Sequence, residues 1–367
     1  MIATLGRFAR EQILVIGTAA LAAAFLVSGR VTPAKAHQAI DYNLLLVLFA
    51  LLVTVEILRE SGYLDRAVAG AVQRFSHTRA LTAGLILVSG GLASLVTNDV
   101  ALFVVIPITV IASRLSDFDI EDAVVLEIIA ANLIGCLTPL GNPQNLFIHH
   151  NAGWTPLRFM MTMAPFVAWC ALALFASVLF LGKSHRITIA PVEVASRKPQ
   201  AGVVGAICFG LVLLEIGNVL PHWAGAVAAL AAGIVILRTR MKLIDLSIVP
   251  LFFFAFIVVE GLRTFDVTAM LRGSTYFVSI LLSQVISNVP ATILLSPFAA
   301  GDWRELLYGV NAGGCGTIIA SLANLLGWRI YVKESNRDPR FFWRLTAINF
   351  AFLAWAGLGG WMLLSIT

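Results

Sequence analysis

The chain has 367 residues, of which 59% are hydrophobic and only 12% charged. Soluble domains carry about 25% charged residues, so the charge here is too sparse to cover a water-facing surface. An ordinary soluble enzyme, a disordered chain and a soluble domain on one anchor are excluded, which leaves an all-α polytopic membrane protein.

Arg7 and Arg10 precede the first apolar run, which predicts a span at about 13–29. Ala34-Lys35-Ala36 resembles a signal-peptidase site, but the run is long enough to stay as a first spanning helix. Further spans are expected at about 43–61, 160–182, 202–219, 223–238, 247–263 and 343–366. Segments 80–113 and 275–300 are apolar but interrupted by polar residues, which predicts two re-entrant hairpins. Segments 122–150 and 304–328 are interrupted by Gly, Pro, Asn and Thr, which predicts two broken helices that still cross.

The net charge of +5 comes from 25 Lys/Arg against 20 Asp/Glu. With the N-terminus inside, only Arg30, Lys35, Arg158, Arg263, Arg272 and Arg304 fall outside; the other 19 of the 25 face the cytoplasm. The basic excess therefore belongs to cytoplasmic loops, not to a nucleic-acid partner. The expected location is the inner membrane, with a cytoplasmic N-terminus and a periplasmic C-terminus. Cys136, Cys170, Cys208 and Cys315 lie in apolar segments without CxxC spacing, so neither a disulfide framework nor a metal site is expected.

The two halves repeat. Ile40-Asp41, Phe49, Glu56, Leu58 and Arg59 recur as Ile244-Asp245, Phe253, Glu260, Leu262 and Arg263, each 204 positions on. Thr97-Asn98 and Pro107 recur as Ser287-Asn288 and Pro297, 190 positions on. Asn132, Gly135, Cys136, Thr138 and Asn145 recur as Asn311, Gly314, Cys315, Thr317 and Asn324, 179 positions on. Between residues 43 and 247 the expected crossings number five, an odd count, so the second half enters from the opposite side. That is an inverted-topology repeat, the architecture of secondary transporters. The resulting division is 1–39, a first helix and loop; 40–182, repeat 1; 183–200, a cytoplasmic linker; and 201–367, repeat 2 with an extra leading helix.

The polar interruptions carry the candidate site. Non-helical backbone at membrane depth must be buried in protein or line a wet cavity. The hairpin tips place Thr97, Asn98 and Asp99 opposite Ser287 and Asn288, short side chains that satisfy such backbone or hold an ion; capping alone is the alternative. In the first broken helix Pro139 cannot continue the ladder, and Asn142-Pro143 reads as an N-cap with proline at the first helical position. A helix N-terminus opened there suits an anion or a polar neutral solute. The second break, from Asn311 through Gly314, Gly316 and Thr317 to Ser321 and Asn324, uses glycine, for which close helix packing is the alternative.

The segments TNDVALFVVIP, NLIGCLTPLGNPQN and SNVPATILLSP resemble the signature segments of the ion transporter superfamily. That superfamily includes arsenite permeases, NhaD-type antiporters and citrate, dicarboxylate and sulfate permeases, and the LGNPQN wording is most similar to YbiR-type anion permeases. The resemblance covers roughly residues 40–365. It implies a scaffold subdomain, a transport subdomain holding the hairpins and breaks, elevator-like movement and homodimers. It places a substrate and ion site at Thr97, Asn98, Thr138, Gly141, Asn142, Pro143, Ser287, Asn288, Gly314, Thr317 and Ser321, to which the repeat adds Asn145 and Asn324. Sodium-coupled dicarboxylate carriers of the group have Ser-Asn-Thr at both tips. Here the tips read Thr-Asn-Asp and Ser-Asn-Val, which weakens that reading.

Asp99 is the sharpest single residue, because an acid within the membrane points to function. It either binds a cation or carries the coupling proton; a structural cap is the alternative. Glu127 is a second relay candidate, or snorkels to the inner face. Glu56–Arg59 and Glu260–Arg263 read as structural ion pairs, and His149 and His150 as outer-surface residues. Cys136 and Cys315 at equivalent breaks could offer soft ligands to trivalent arsenic, or act as small apolar residues. No HExxH, GxSxG or paired-Asp motif stands at the breaks, so the chain is not expected to be an enzyme; an intramembrane enzyme and a channel are remote alternatives. The expected function is secondary transport of a small anion or oxyanion, arsenite-like solutes included, coupled to H+ or Na+ without a cofactor. A Na+/H+ antiporter is the runner-up.

Overall fold

Segments this apolar cannot leave backbone N–H and C=O groups to water, and a helix satisfies them internally. The computed structural model describes residues 2–114, 120–180, 186, 198–216, 219–221, 223–244, 246, 248–262, 264, 275–299, 302–335 and 340–366. Of residues 2–14, 64, 65, 68, 71, 72, 111, 112, 114, 242, 243 and 334 it describes the backbone alone. Among the described residues the regular structure is helical, with one isolated bridge between His77 and Arg186.

The helices are α1 (Ile2–Val27), α2 (Pro33–Ala39), α3 (Tyr42–Glu60), α4 (Tyr63–Val72), α5 (Thr78–Val96) and α6 (Asn98–Arg114). There follow α7 (Glu121–Leu133), α8 (Pro143–Asn151), α9 (Pro156–Phe180), α10 (Pro199–Ile216), α11 (Trp223–Ile236) and α12 (Ile248–Leu262). The chain continues with α13 (Thr275–Ile286), α14 (Asn288–Leu295), α15 (Trp303–Ala312), α16 (Leu322–Ser335) and α17 (Arg340–Ile366). Of these, α3, α5, α9, α10 and α17 are long and apolar enough to cross a membrane.

Each expected uninterrupted span has its helix, in α1, α3, α9, α10, α11, α12 and α17. The four interrupted segments are each two helices. A single residue, Thr97, separates α5 from α6, and Ser287 separates α13 from α14. In both cases the two helices pack against each other. Wider breaks separate α7 from α8 and α15 from α16. At 19 residues α5 has the length of a full span, whereas α13 has 12. Helices α2 and α4 were not expected, because 7 and 10 residues are too short to register as spans. Ala36, at the candidate cleavage site, is buried within α2, which packs on α12.

Packing sorts the helices into two groups. α3, α10 and α11 pack on one another, and α1 lies along α12, which bridges α3 and, more extensively, α14 of the second group. The interrupted helices form the second group, with α5 on α6 and α7, α13 on α14 and α15, and α6 on α16. The apolar windows of α3 and α5 are 56% buried, but that of α17 only 28%. α17 and its neighbour α9 thus turn much of their apolar surface outward, as lipid-facing helices do.

Two contacts fasten the assembly. Trp169 on α9 and Trp355 on α17 stack with ring centroids 4.5 Å apart. Each indole N–H donates to the other residue's backbone carbonyl, at 2.9 and 3.0 Å. At one end of the bundle the Glu60 carboxylate accepts from both Lys198 and Arg240. The Glu56–Arg59 pair is present at 3.5 Å; Arg263 of its counterpart lies outside the described residues, as does most of the 183–200 linker.

Close packing of α13 on α15 depends on Gly309, where a Cβ would overlap Ser279 Oγ and stand 2.6 Å from the Tyr276 carbonyl oxygen. Gly210 on α10 has nothing within 4 Å of that position. Gly309→Ala is therefore expected to lower the thermal midpoint of the detergent-solubilised protein, with an overpacking cost of about 1–3 kcal/mol. Gly210→Ala should leave it unchanged or raise it. Equal midpoints for the two variants would contradict this packing.

Candidate functional site

The site begins with two residues in unusual backbone. Thr97 has φ 147° and Ser287 has φ 76°, both on the positive side that side chains rarely adopt. That geometry ends one helix and starts the next within a single residue. It aims the first N–H of the new helix sideways, and each such N–H finds a carbonyl in a broken helix. Asn98 N–H donates to Gly141 C=O at 2.9 Å, and Asn288 N–H donates to Ala320 C=O at 2.8 Å. The donors are 190 positions apart and the acceptors 179.

The same correspondence runs through the side chains. Asn132 Nδ2–H donates to Asn324 Oδ1 at 2.9 Å, and Asn311 Nδ2–H donates to Asn145 Oδ1 at 2.8 Å. Asn132 and Asn311 are 179 positions apart, and so are Asn145 and Asn324, so each break reaches into the other through its first asparagine. Asn132 Oδ1 also accepts from Asn98 Nδ2 at 3.2 Å and from Ser321 Oγ at 2.9 Å. Asn324 Nδ2 holds the second break by donating to Gly314 C=O at 2.9 Å and Thr317 C=O at 3.2 Å. Asn145 Nδ2 donates to Cys136 C=O at 3.3 Å in the first break. These asparagines are all at most 4% exposed.

A further pair of bonds ties each break to its hairpin. The Thr138 hydroxyl donates to Ser94 C=O, and the Thr317 hydroxyl donates to Gln284 C=O at 2.9 Å. Gln284 does more than Ser94 can. Its Nε2 donates to Gly313 and Cys315 carbonyls at 2.9 and 3.0 Å, and its Oε1 accepts from Thr317 N–H at 2.9 Å. Sequence reasoning missed Gln284, although the 190-position offset places it opposite Ser94. Gly316, at φ 106°, lies so close to Gln284 Oε1 that a Cβ there would overlap it. Likewise a Cβ on Gly141 would overlap the Gly135 carbonyl oxygen.

Asn142 is the residue before α8, in extended backbone with Pro143 at the first helical position. Its side chain makes no capping bond, and Oδ1 is buried with no hydrogen-bond partner among the described residues. Asn142, Pro143 and Thr97 line a tight cavity of about 10 Å³ whose far walls are Leu48, Leu51 and Leu52 of α3 and Ile248 of α12. That is room for about one water. The first tip and the first break thus abut the other helix group here.

The remaining candidates fall around this centre. Asp99 is partly exposed in the first turn of α6, its N–H donating to Asn98 Oδ1 at 2.9 Å. Asn288 stands beside Gly314, whose added Cβ would lie 3.0 Å from Asn288 Nδ2. Glu127 is apart from the asparagines, between α7, α6 and α5. It is fully buried rather than snorkelling: Oε1 accepts from Thr109 at 2.7 Å, and Oε2 has no hydrogen-bond partner among the described residues. Cys136 and Cys315 are buried, and the Cys136 thiol donates to Leu133 C=O at 3.1 Å. His149 is not at the surface as expected but 4% exposed, packed edge-on to Phe159; His150 is half-buried and pairs with Asp41 at 2.8 Å.

The family described as citrate transporter, CitMHS, matches residues 7–303, a range that holds both hairpin tips and the first break. The inner membrane protein YbiR of Escherichia coli is 32% identical over 347 residues, 91% of this chain and 90% of that protein. An uncharacterized transporter of Methanocaldococcus jannaschii is 32% identical over 308 residues, 82% of this chain and 84% of that one. A 46 kDa membrane protein of Mycobacterium leprae is 25% identical over 374 residues, 88% and 86% of the two chains. With its long apolar helices and this coverage, the chain is a multi-pass membrane transporter that belongs to the citrate transporter family of the ion transporter superfamily.

Proposed function

We propose that this transporter carries a small anion or oxyanion across the inner membrane by secondary active transport. The observation that carries the reading is the exchange of amide bonds between the breaks, Asn132 with Asn324 and Asn311 with Asn145. Partners swapped between residues at one constant offset are what an inverted-topology repeat requires at its pseudo-two-fold axis. The one hairpin between residues 43 and 247 contributes an even number of crossings whether it re-enters or spans, so the opposed entry of the two halves does not depend on its depth. The N-terminus is then cytoplasmic and the C-terminus periplasmic.

Helices α6, α8, α14 and α16 all start at these interruptions, and each start carries the positive end of a helix dipole. The hydrogen-bond network described there is made of amides, hydroxyls and backbone groups. An anion held by such partial charges is bound without a fixed cation, which favours release as well as capture. The family name makes citrate the first solute to try. The buried, carbonyl-bonded Cys136 supports a packing role for the paired cysteines and gives no support to soft-ligand capture of arsenic. Movement is elevator-like, with the interrupted helices shifting against α3 and α12 at the Thr97–Asn142 cavity. Homodimer formation rests on the family resemblance.

Asp99 is the coupling group in this reading, because it adjoins Asn98 and so senses the network. A second reading, Na+/H+ antiport, is favoured by the same acid together with the bare oxygen of Glu127.

Three outcomes test this. In proteoliposomes on solid-supported membranes, citrate or another small anion should evoke currents that sodium jumps alone do not; a sodium-only response would sink the anion reading. Asn132→Ala strips partners from Asn98, Ser321 and Asn324 at once. A buried polar group left unpaired costs about 1–3 kcal/mol, so anion transport should fall by roughly tenfold or more while the protein still inserts. Asp99→Asn should abolish drive by a pH gradient yet spare counterflow. Unchanged pH drive in that variant would remove Asp99 from coupling.

A further inference from the structure

Hairpin and break are joined alike in the two halves, but the second joint carries more bonds. Ser94 and Gln284 stand 190 positions apart, and the matched break residues stand 179 apart. Ser94 Oγ donates to Gly90 C=O and to Ile134 C=O, both at 3.0 Å. Gln284 Nε2 repeats both bonds at the matched carbonyls, Ile280 at 3.2 Å and Gly313 at 2.9 Å. It then reaches further into the second break, where Nε2 also donates to Cys315 C=O and Oε1 accepts from Thr317 N–H. Asn145 donates to one carbonyl of the first break, Cys136, whereas its counterpart Asn324 donates to two in the second, Gly314 and Thr317.

Two further positions differ in the same sense. Gly316, at φ 106°, leaves free the space that Gln284 Oε1 takes up, and Leu137 stands at the matched position of the first break. Ser321 Oγ donates to Asn132 Oδ1 at 2.9 Å and accepts from Ala323 N–H at 3.3 Å. Its counterpart Asn142 makes no capping bond, and its Oδ1 has no hydrogen-bond partner among the described residues.

We infer that Gln284 is a positioning residue that locks the second break, so that within the group of interrupted helices only the first break, residues 134–142, changes shape as solute is bound and released. The inference rests on the transport reading above and adds to it which half responds. An amide bonded through both its nitrogen and its oxygen to three backbone groups of one break holds them in one arrangement. Local opening there must give up all of these bonds together. The serine at the matched position holds one carbonyl of its break and leaves the rest to move. Both breaks keep the same spacing, so the contrast lies in bonding and not in length.

The test is hydrogen–deuterium exchange of the purified full-length protein, read by mass spectrometry on peptides covering 134–142 and 313–321. Sodium citrate is the probe, and sodium chloride at equal sodium is the control. Without citrate, protection should be at least tenfold higher in 313–321 than in 134–142. Citrate should slow exchange in 134–142 and leave 313–321 unchanged. Gln284→Ser, which keeps a hydroxyl for Gly313 C=O, should cut protection in 313–321 about tenfold and let citrate slow exchange there too, which a merely structural role would not do. Gln284→Met keeps the bulk without the amide and serves as the second variant should Gln284→Ser fold poorly. Equal protection of the two breaks, an equal citrate effect on both, or unchanged protection of 313–321 in both variants would overturn the inference. A citrate effect in neither break, with no citrate current, would sink the anion reading instead, and the citrate-free contrast and the two variants would still decide the lock.

Discussion

The structure depends on one constraint: where a helix is interrupted inside an apolar bundle, the backbone groups it frees must find partners in protein. An unpaired N–H or C=O in hydrocarbon costs several kcal/mol. Here the two kinds of interruption satisfy each other. The hairpin tips have N–H groups to spare and the breaks have carbonyls, and the bonds Asn98 to Gly141 and Asn288 to Ala320 join them. Each hairpin and the break it bonds to therefore form one hydrogen-bonded unit. The positive φ of Thr97 and Ser287 is the distortion that aims these donors, and the bonds made offset its cost.

The asparagines extend the same logic to side chains. An amide offers donors and acceptors at once, so a chain of amides can close without introducing net charge. Asn132 shows this directly, accepting from Asn98 and Ser321 while donating to Asn324. A charged residue in its place would need a counter-ion on every neighbour and would fix the site to one sign of ligand.

Much of this was legible in the sequence, and for a physical reason. Apolar runs reveal spans because lipid penalises anything else, and the offset of 179 stands out because the exchanged amide bonds join matched asparagines. Asn142 before Pro143 announced the start of α8 by its local chemistry alone. What stayed hidden has no local signal. Gln284 sits opposite Ser94, so the repeat pointed to the position, but only packing shows one side chain clamping three backbone groups. The sequence around Glu127 leaves a relay and a snorkelling acid equally open, because its burial is set by Thr109 of α6 and Ser89 of α5, which no count along α7 contains. The short helices α2 and α4 escaped because length was the criterion.

The reciprocal tryptophan contact has its own mechanical meaning. Trp169 and Trp355 each donate to the other's backbone, so the two bonds fix α9 and α17 in register along their axes as well as side by side. Sliding one helix past the other by a single turn, about 5.4 Å, would break both bonds and unstack the rings together. Movement between these two helices is therefore all-or-none rather than graded. α9 follows the first break and α17 the second, so the pair acts as a rigid outer plank to which both halves are bolted.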